Sequence, residues 1–152
     1  MTAPEDEFHI LRNRAEHWRL KGSAYFITWR VLEGTNDLSD RERDVVKETI
    51  KHFHDERYRL YALVVMNDHV HVIVQPLGDH ELSKIIQGWK SYTANRLQRE
   101  HGRQGAVWQK DYPDRIIRGE DDLYEKANYI INNPLKRWPD RQDYPWVEWF
   151  AL

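Results

Sequence analysis

The 152-residue chain has no cysteine, which excludes a disulfide framework and any thiolate metal site. It also lacks a long apolar run. With a mean hydropathy of -0.86, no stretch approaches the roughly 20 apolar residues that a membrane-spanning helix needs. The first ten residues, MTAPEDEFHI, lack the basic start and apolar core of a secretory signal. There is no internal repeat and no low-complexity segment. A cytoplasmic location without membrane contact is therefore the expectation. Any bound metal must be held by His, carboxylate, amide or water.

Net charge is nearly absent too, at -2 from 23 Lys/Arg and 25 Asp/Glu, but the total conceals a gradient. Residues 1–83 carry -4, residues 84–118 carry +5 and residues 119–152 carry -3. Neutralising phosphate needs a local cationic patch, about which the total charge says little. The central segment supplies Lys84, Lys90, Arg96, Arg99, Arg103, Lys110, Arg115 and Arg118. A solvated helix face explains such a segment equally well. Seven Trp and eight Tyr supply both core volume and faces on which unpaired bases stack. Length and the 40% hydrophobic content suit one domain. We expect a core over about 20–136, an N-terminal arm at 1–19 and a tail at 137–152.

Along the chain, residues 23–31 (SAYFITWRV) are β-branched and aromatic and read as a strand. Leu38-Ser39-Asp40 offers an N-cap to a helix whose Val45, Val46, Ile50 and Phe53 form one stripe. Residues 59–66 and 69–75 are two further strands. They are joined by the turn pair Asn67-Asp68, which predicts an antiparallel hairpin. Residues 82–100 form an amphipathic helix with Leu82, Ile85, Ile86, Trp89 and Leu97 inward. A short extended stretch at 106–109 and a strand at 115–118 follow. The helix over 121–132 is expected to stop at Pro134, because proline disfavours helix in the residue before it. The tail reads as irregular and wrapping the body. The order predicts an α+β fold, an antiparallel sheet with helices packed on one face.

His69 and His71 are the sharpest local feature. Alternate strand residues share a face, so the two imidazoles project side by side while Val70, Val72 and Val74 point to the core. Two imidazoles on a rigid strand make half a site for a divalent metal; two histidines on a solvated sheet face fit the same pattern. Tyr129 and Asn133 lie four apart on one helix face. The phenol is placed to attack while the amide completes a metal site. Packing and capping before Pro134 are the alternative use. Asp68 offers an acceptor to an imidazole or simply serves the turn. Lys90, Ser91 and Arg96, followed by Trp108, Gln109, Lys110, Arg115 and Arg118, read as a strand-binding groove. Arg12, Arg14, Arg19 and Lys21 precede the first strand and are placed to reach base edges or phosphates.

Taken in order, KGSAYFITWRV (21–31), YALVVMNDHVHVIVQPL (61–77), WKSYTANRL (89–97), VWQKDYPDRIIRGEDDL (107–123) and NYIINNPLK (128–136) resemble the REP-associated tyrosine transposases. These are relatives of the single-strand insertion-sequence transposases, the HUH nuclease group. The resemblance implies a ferredoxin-like α+β fold with His-x-His on a central strand. It implies His69, His71 and Asn133 as ligands of Mg²⁺ or Mn²⁺, and Tyr129 as the nucleophile. The substrate it implies is single-stranded or hairpin DNA from repetitive extragenic palindromes, cut and rejoined through a 5′-phosphotyrosine. Two positions depart from the pattern. Asn67-Asp68 stands where relatives carry Pro-Asn or a similar pair, and Pro113 stands where a bulkier residue is expected. The alternatives are a protein of this fold that binds DNA or RNA without cutting, and a metal-dependent hydrolase that uses water. Monomer and homodimer are both compatible with the sequence.

Overall fold

The computed structural model describes residues 22–150. Eight elements follow in order: β1 (Tyr25–Arg30), α1 (Asp40–Lys51), β2 (Tyr58–Val65), β3 (His69–Pro76), α2 (Leu82–His101), β4 (Asp114–Ile116), α3 (Glu120–Arg137) and β5 (Val147–Trp149). The strands form one antiparallel sheet in the order β4-β1-β3-β2-β5. The expected α+β architecture is present, with the His-x-His strand β3 at its centre. No helix among the described residues is long and apolar enough to cross a membrane.

Local chemistry accounts for most boundaries. Ser39 and Glu42 form a reciprocal capping box at the start of α1, satisfying donors that the first turn leaves unpaired. The hairpin between β2 and β3 closes when the Met66 N–H donates to the His69 carbonyl, 2.8 Å away. Its tip is held from outside: Val31 N–H donates to the Asp68 carbonyl and Leu38 N–H to the Asn67 carbonyl. The strand bearing the histidines is thus fixed at its first residue. Helix α2 ends at Gly102, whose φ of 70° is a left-handed cap that glycine adopts without cost.

The sheet is covered on both sides, which corrects the expectation of helices on one face. Ile27, Trp29, Val70, Val72 and Val74 pack with Val46 and Ile50 of α1 and Ile86, Trp89 and Leu97 of α2. On the other side Ile73, Tyr61, Ala62 and Val64 meet Leu123, Ala127 and Ile130 of α3. A sheet buried on both faces loses simple polar–apolar alternation, and so β2 reads as a continuous apolar run from Leu60 to Val65. A bulge at Tyr61, between the pairs Leu60↔Val74 and Ala62↔Ile73, shifts the parity of β2. Tyr58 and Leu60 before it, and Leu63 and Val65 after it, all belong to the α1–α2 side.

Two further expectations are corrected. Helix α3 does not stop before Pro134; it runs to Arg137 with the proline inside. Pro134 gives up one helical N–H, and the burial of Ile130, Ile131, Asn133 and Pro134 itself offsets that loss. The tail is not merely irregular either. Val147–Glu148–Trp149 pairs with Val64–Leu63–Ala62 as β5. Trp146 is buried and donates its indole N–H to Asp44 at 2.7 Å.

Candidate functional site

On the α3 side of the sheet, β3 presents His69, His71, Ile73 and Gln75. The register sets their neighbours: Thr28 and Val64 flank His71, and Arg30 lies opposite His69. His71 is only 4% exposed. Its Nδ1 is 2.8 Å from Thr28 Oγ1, and its ring stacks on Phe26 with centroids 5.3 Å apart. Its Nε2 is buried without a partner. Burial, reinforced by His69 and Arg30, pushes the His71 pKa down to about 3, so the ring is a neutral imidazole near pH 7. His69 is half-buried, with Nδ1 2.7 Å from Asp68 Oδ1. The two imidazole centroids are 4.6 Å apart. Each ring is held through Nδ1, and His71 Nε2 has no hydrogen-bond partner among the described residues.

Helix α3 brings the phenol. Its first turn carries Glu120, Asp121 and Asp122, which complement the positive end of the helix dipole. Leu123, Ala127 and Ile130 settle on the sheet. That stripe leaves Tyr129 on the flank, 43% exposed, with its ring centroid 5.2 Å from that of His71 and 6.1 Å from that of Phe26. Asn133, one turn further, is buried, as is the unpartnered Oδ1 of Asn132. His71 and Tyr129 thus meet within a single chain. Among the described residues no three His, Cys, Asp or Glu side chains gather as a metal site. An ion on the histidine pair would be completed by amide, water or phosphate oxygen. A neutral His71 with a free Nε2 fits that role.

Several functional neighbours were not visible in the sequence. Thr28 and Phe26 act on His71 only through strand pairing. Lys136, with Nζ 5.6 Å from the Tyr129 ring centroid, carried one signal, its spacing of seven residues from the tyrosine. Lys126, three residues before Tyr129 on the same helix, pairs with Glu125 at 3.2 Å and Asp122 at 3.7 Å.

The cationic set divides. Lys90 Nζ donates to the carbonyls of Gln109 and Lys110 at 2.7 and 3.2 Å; burial lowers its pKa, opposed by the charge of Asp111. Arg96 makes a two-pronged contact with Glu100. Trp108 is buried edge-on to Trp29 and donates to Thr93 Oγ1 at 2.9 Å, so its indole belongs to the core. Gln109 donates its backbone N–H to the Arg30 carbonyl and its amide to the Val31 carbonyl, which sets the 107–109 segment beside the β1 end that faces His69. Ser91, Lys110, Arg115 and Arg118 are exposed; Arg115 also pairs with Asp122 at 3.0 Å. Arg12, Arg14, Arg19 and Lys21 lie outside the described residues. A groove of about 700 Å³ opens elsewhere, between α1 and α2, lined by Phe53, Tyr58, Trp89 and Tyr92. None of its walls belongs to the histidine–tyrosine cluster.

Comparison with known proteins agrees with this fold. A Haemophilus influenzae protein described as a REP-associated tyrosine transposase is 26% identical, covering 76% of this chain and 72% of its own. The REP-associated tyrosine transposase of Escherichia coli K12 is 24% identical, covering 84% and 75%. A solved structure of such a transposase bound to a REP hairpin superposes with a TM-score of 0.68 at 24% identity, over 84% of this chain and 76% of that one. A transposase crystal structure from Deinococcus radiodurans gives a TM-score of 0.54 at 23% identity, over 72% and 88%. The family model for IS200-like transposases matches residues 21–133, a span containing His69, His71, Tyr129 and Asn133, and the chain belongs to that family.

Proposed function

We propose that this protein cuts and rejoins single-stranded DNA at hairpins of the REP type, with Tyr129 as nucleophile and His69, His71 and Asn133 as holders of Mg²⁺ or Mn²⁺. The observation that carries the reading is the approach of the Tyr129 ring to within 5.2 Å of a buried histidine whose Nε2 has no partner. A phosphodiester resists attack because its negative charge repels nucleophiles. When bound, the metal would supply positive charge against that phosphate and Lewis acidity that eases departure of the 3′ oxygen. The Tyr129 hydroxyl oxygen attacks phosphorus, an O–P bond forms, and the bond from phosphorus to the 3′ oxygen breaks. The electron pair stays on the 3′ oxygen, which takes up a proton to become a 3′-hydroxyl. The phenol proton leaves toward water, to which Tyr129 is open. The 5′-phosphotyrosine conserves the energy of the broken bond. Attack by another 3′-hydroxyl restores the diester and the phenol without ATP.

Ser91, Lys110, Arg115 and Arg118 are the exposed members of the basic set and supply contacts for the strand. Because one chain carries both the histidines and the tyrosine, a monomer suffices for cleavage. The test is incubation with 5′- and 3′-labelled REP-like hairpins plus Mn²⁺ or Mg²⁺, read on a denaturing gel. Wild type should form a covalent adduct on the 5′-phosphate side, absent in Tyr129→Phe and His69→Ala. Cleavage that survives in Tyr129→Phe would transfer the nucleophile to water or another tyrosine. Tight binding without cleavage would leave a hairpin-binding protein.

A further inference from the structure

We infer that Thr28 is a positioning residue that sets the tautomer of His71, and with it the nitrogen offered to the metal; the inference rests on the metal reading above. Thr28 stands directly opposite His71 in the β1–β3 register. Direct partners on one face of an antiparallel pair bring their Cβ atoms to about 4.5–5.5 Å, and here the Thr28 hydroxyl reaches His71 Nδ1 at 2.8 Å. On the other flank the cross-strand partner is Val64, which offers no acceptor. Phe26 stacks on the ring and restrains its rotation about Cβ. Thr28 is therefore the polar group that His71 meets from the sheet.

Two proton placements satisfy that 2.8 Å contact. Either the hydroxyl donates to Nδ1 and Nε2 carries the hydrogen, or Nδ1–H donates to the hydroxyl oxygen and Nε2 carries a lone pair. The first buries an N–H with nothing to receive it, since Nε2 has no partner and is closed to water. A buried unmatched donor costs about 1–3 kcal/mol and is rarer in proteins than an unmatched acceptor. The second leaves a lone pair in the imidazole form that a divalent ion binds. Metal-ligating histidines are generally oriented this way, through a hydrogen bond from the opposite nitrogen. His69 has its own acceptor of this kind, the carboxylate of Asp68, at 2.7 Å. For His71 the acceptor is a hydroxyl on the neighbouring strand, 43 residues away.

Long-range ¹⁵N–¹H correlation on the metal-free, ¹⁵N-labelled full chain reads the tautomer directly, and Mn²⁺ titration calorimetry reads the site. Wild type should show His71 protonated on Nδ1. Thr28→Val should shift His71 toward Nε2–H and weaken Mn²⁺ binding by about ten- to a hundredfold, whereas Thr28→Ser should retain the wild-type tautomer and affinity. A wild-type His71 protonated on Nε2 overturns the inference whatever the variants do. So does Thr28→Val with an unchanged tautomer, or with undiminished Mn²⁺ affinity beside a wild type that binds. Failure of the metal reading looks different: wild type and His71→Ala would then be equally unable to bind Mn²⁺.

Discussion

The two faces of the sheet are built on different rules. On the α1–α2 side the large side chains close a network of their own. Trp29 stacks on Trp89 and meets Trp108 edge-on. The Trp89 N–H donates to Tyr58 Oη, which in turn donates to the Ile50 carbonyl. On the α3 side the same strands carry Thr28, His71 and Gln75, all buried. Of five buried side-chain atoms without partners among the described residues, three belong to this layer: His71 Nε2, Gln75 Nε2 and Asn132 Oδ1. One face is held by aromatic packing, and the other sets a buried imidazole with an unpartnered nitrogen beside an exposed tyrosine. Unmatched buried polar groups are costly; Trp29 Nε1 and Arg43 Nε are the two on the α1–α2 side, and His71 Nε2 is the one whose ring meets Tyr129.

Exchanging the roles of the two faces should fail in opposite ways. The largest effect is expected from Tyr129→Phe, which should abolish the covalent adduct on hairpin DNA. Its melting temperature should stay close to wild type, since the side chain is surface-exposed. A shift of many degrees would mean that Tyr129 also serves the core. Trp89→Ala should behave the other way, losing about 3–5 kcal/mol of stability in urea titration as a large core side chain is removed. Any protein that remains folded should still form the adduct.

A smaller effect concerns Glu42, buried beneath Arg103 on the α1–α2 side. Burial alone would raise its pKa, but the Arg103 hydrogen bond and the Ser39 backbone N–H outweigh this and hold it below the usual carboxylate value. Its folded pKa is thus the lower one. The contribution is fully present above the unfolded value near 4.5 and is lost as pH falls through the folded value. Glu42→Gln should lower the melting temperature by roughly 5 °C at pH 7, and the gap should close on acidification toward pH 3. A gap independent of pH would mean that the carboxylate charge is irrelevant. The smallest effect should come from Arg115→Ala. It should weaken hairpin binding a fewfold and reduce the salt slope by about one, with adduct formation intact at low salt. An unchanged slope would remove Arg115 from the DNA surface.

Features set by neighbours in sequence were legible before the structure. The α1 cap at Ser39, the β2–β3 hairpin and the stripes of α1 and α2 all rest on contacts within a few residues. The candidate pairs drew on the same kind of signal, since His-x-His on a strand and Tyr-x-x-x-Asn on a helix each need only one element's period. What was hidden depends on long-range pairing. The side of the sheet that α3 covers cannot be read from strands buried on both faces. Pro134 obeys its local rule in most chains, but here tertiary burial of Ile130, Ile131 and Asn133 keeps the helix going. β5 is three residues long, too short to show a period. Lys90 and Trp108 read as groove lining in the sequence, but their bonds to Gln109 and Thr93 draw them inward, while Arg96 stays at the surface paired with Glu100. Thr28 gave no signal at all, because its partner lies 43 positions away.

The bulge at Tyr61 bears on how such a chain tolerates loss of residues over evolutionary time. β2 carries one residue more than its pairing with β3 requires. A descendant lacking Tyr61 could straighten the strand and keep Leu60, Leu63 and Val65 turned as they are, giving up that ring and its hydrogen bond to Gln75. β3 has no such spare against β1, where six consecutive pairs run unbroken from Tyr25↔Val74 to Arg30↔His69. Dropping Val72 there would turn His71 through the sheet, away from Tyr129 and into the tryptophan layer. Length variation in this hairpin should therefore collect on the β2 arm, with the histidine arm held to a fixed count.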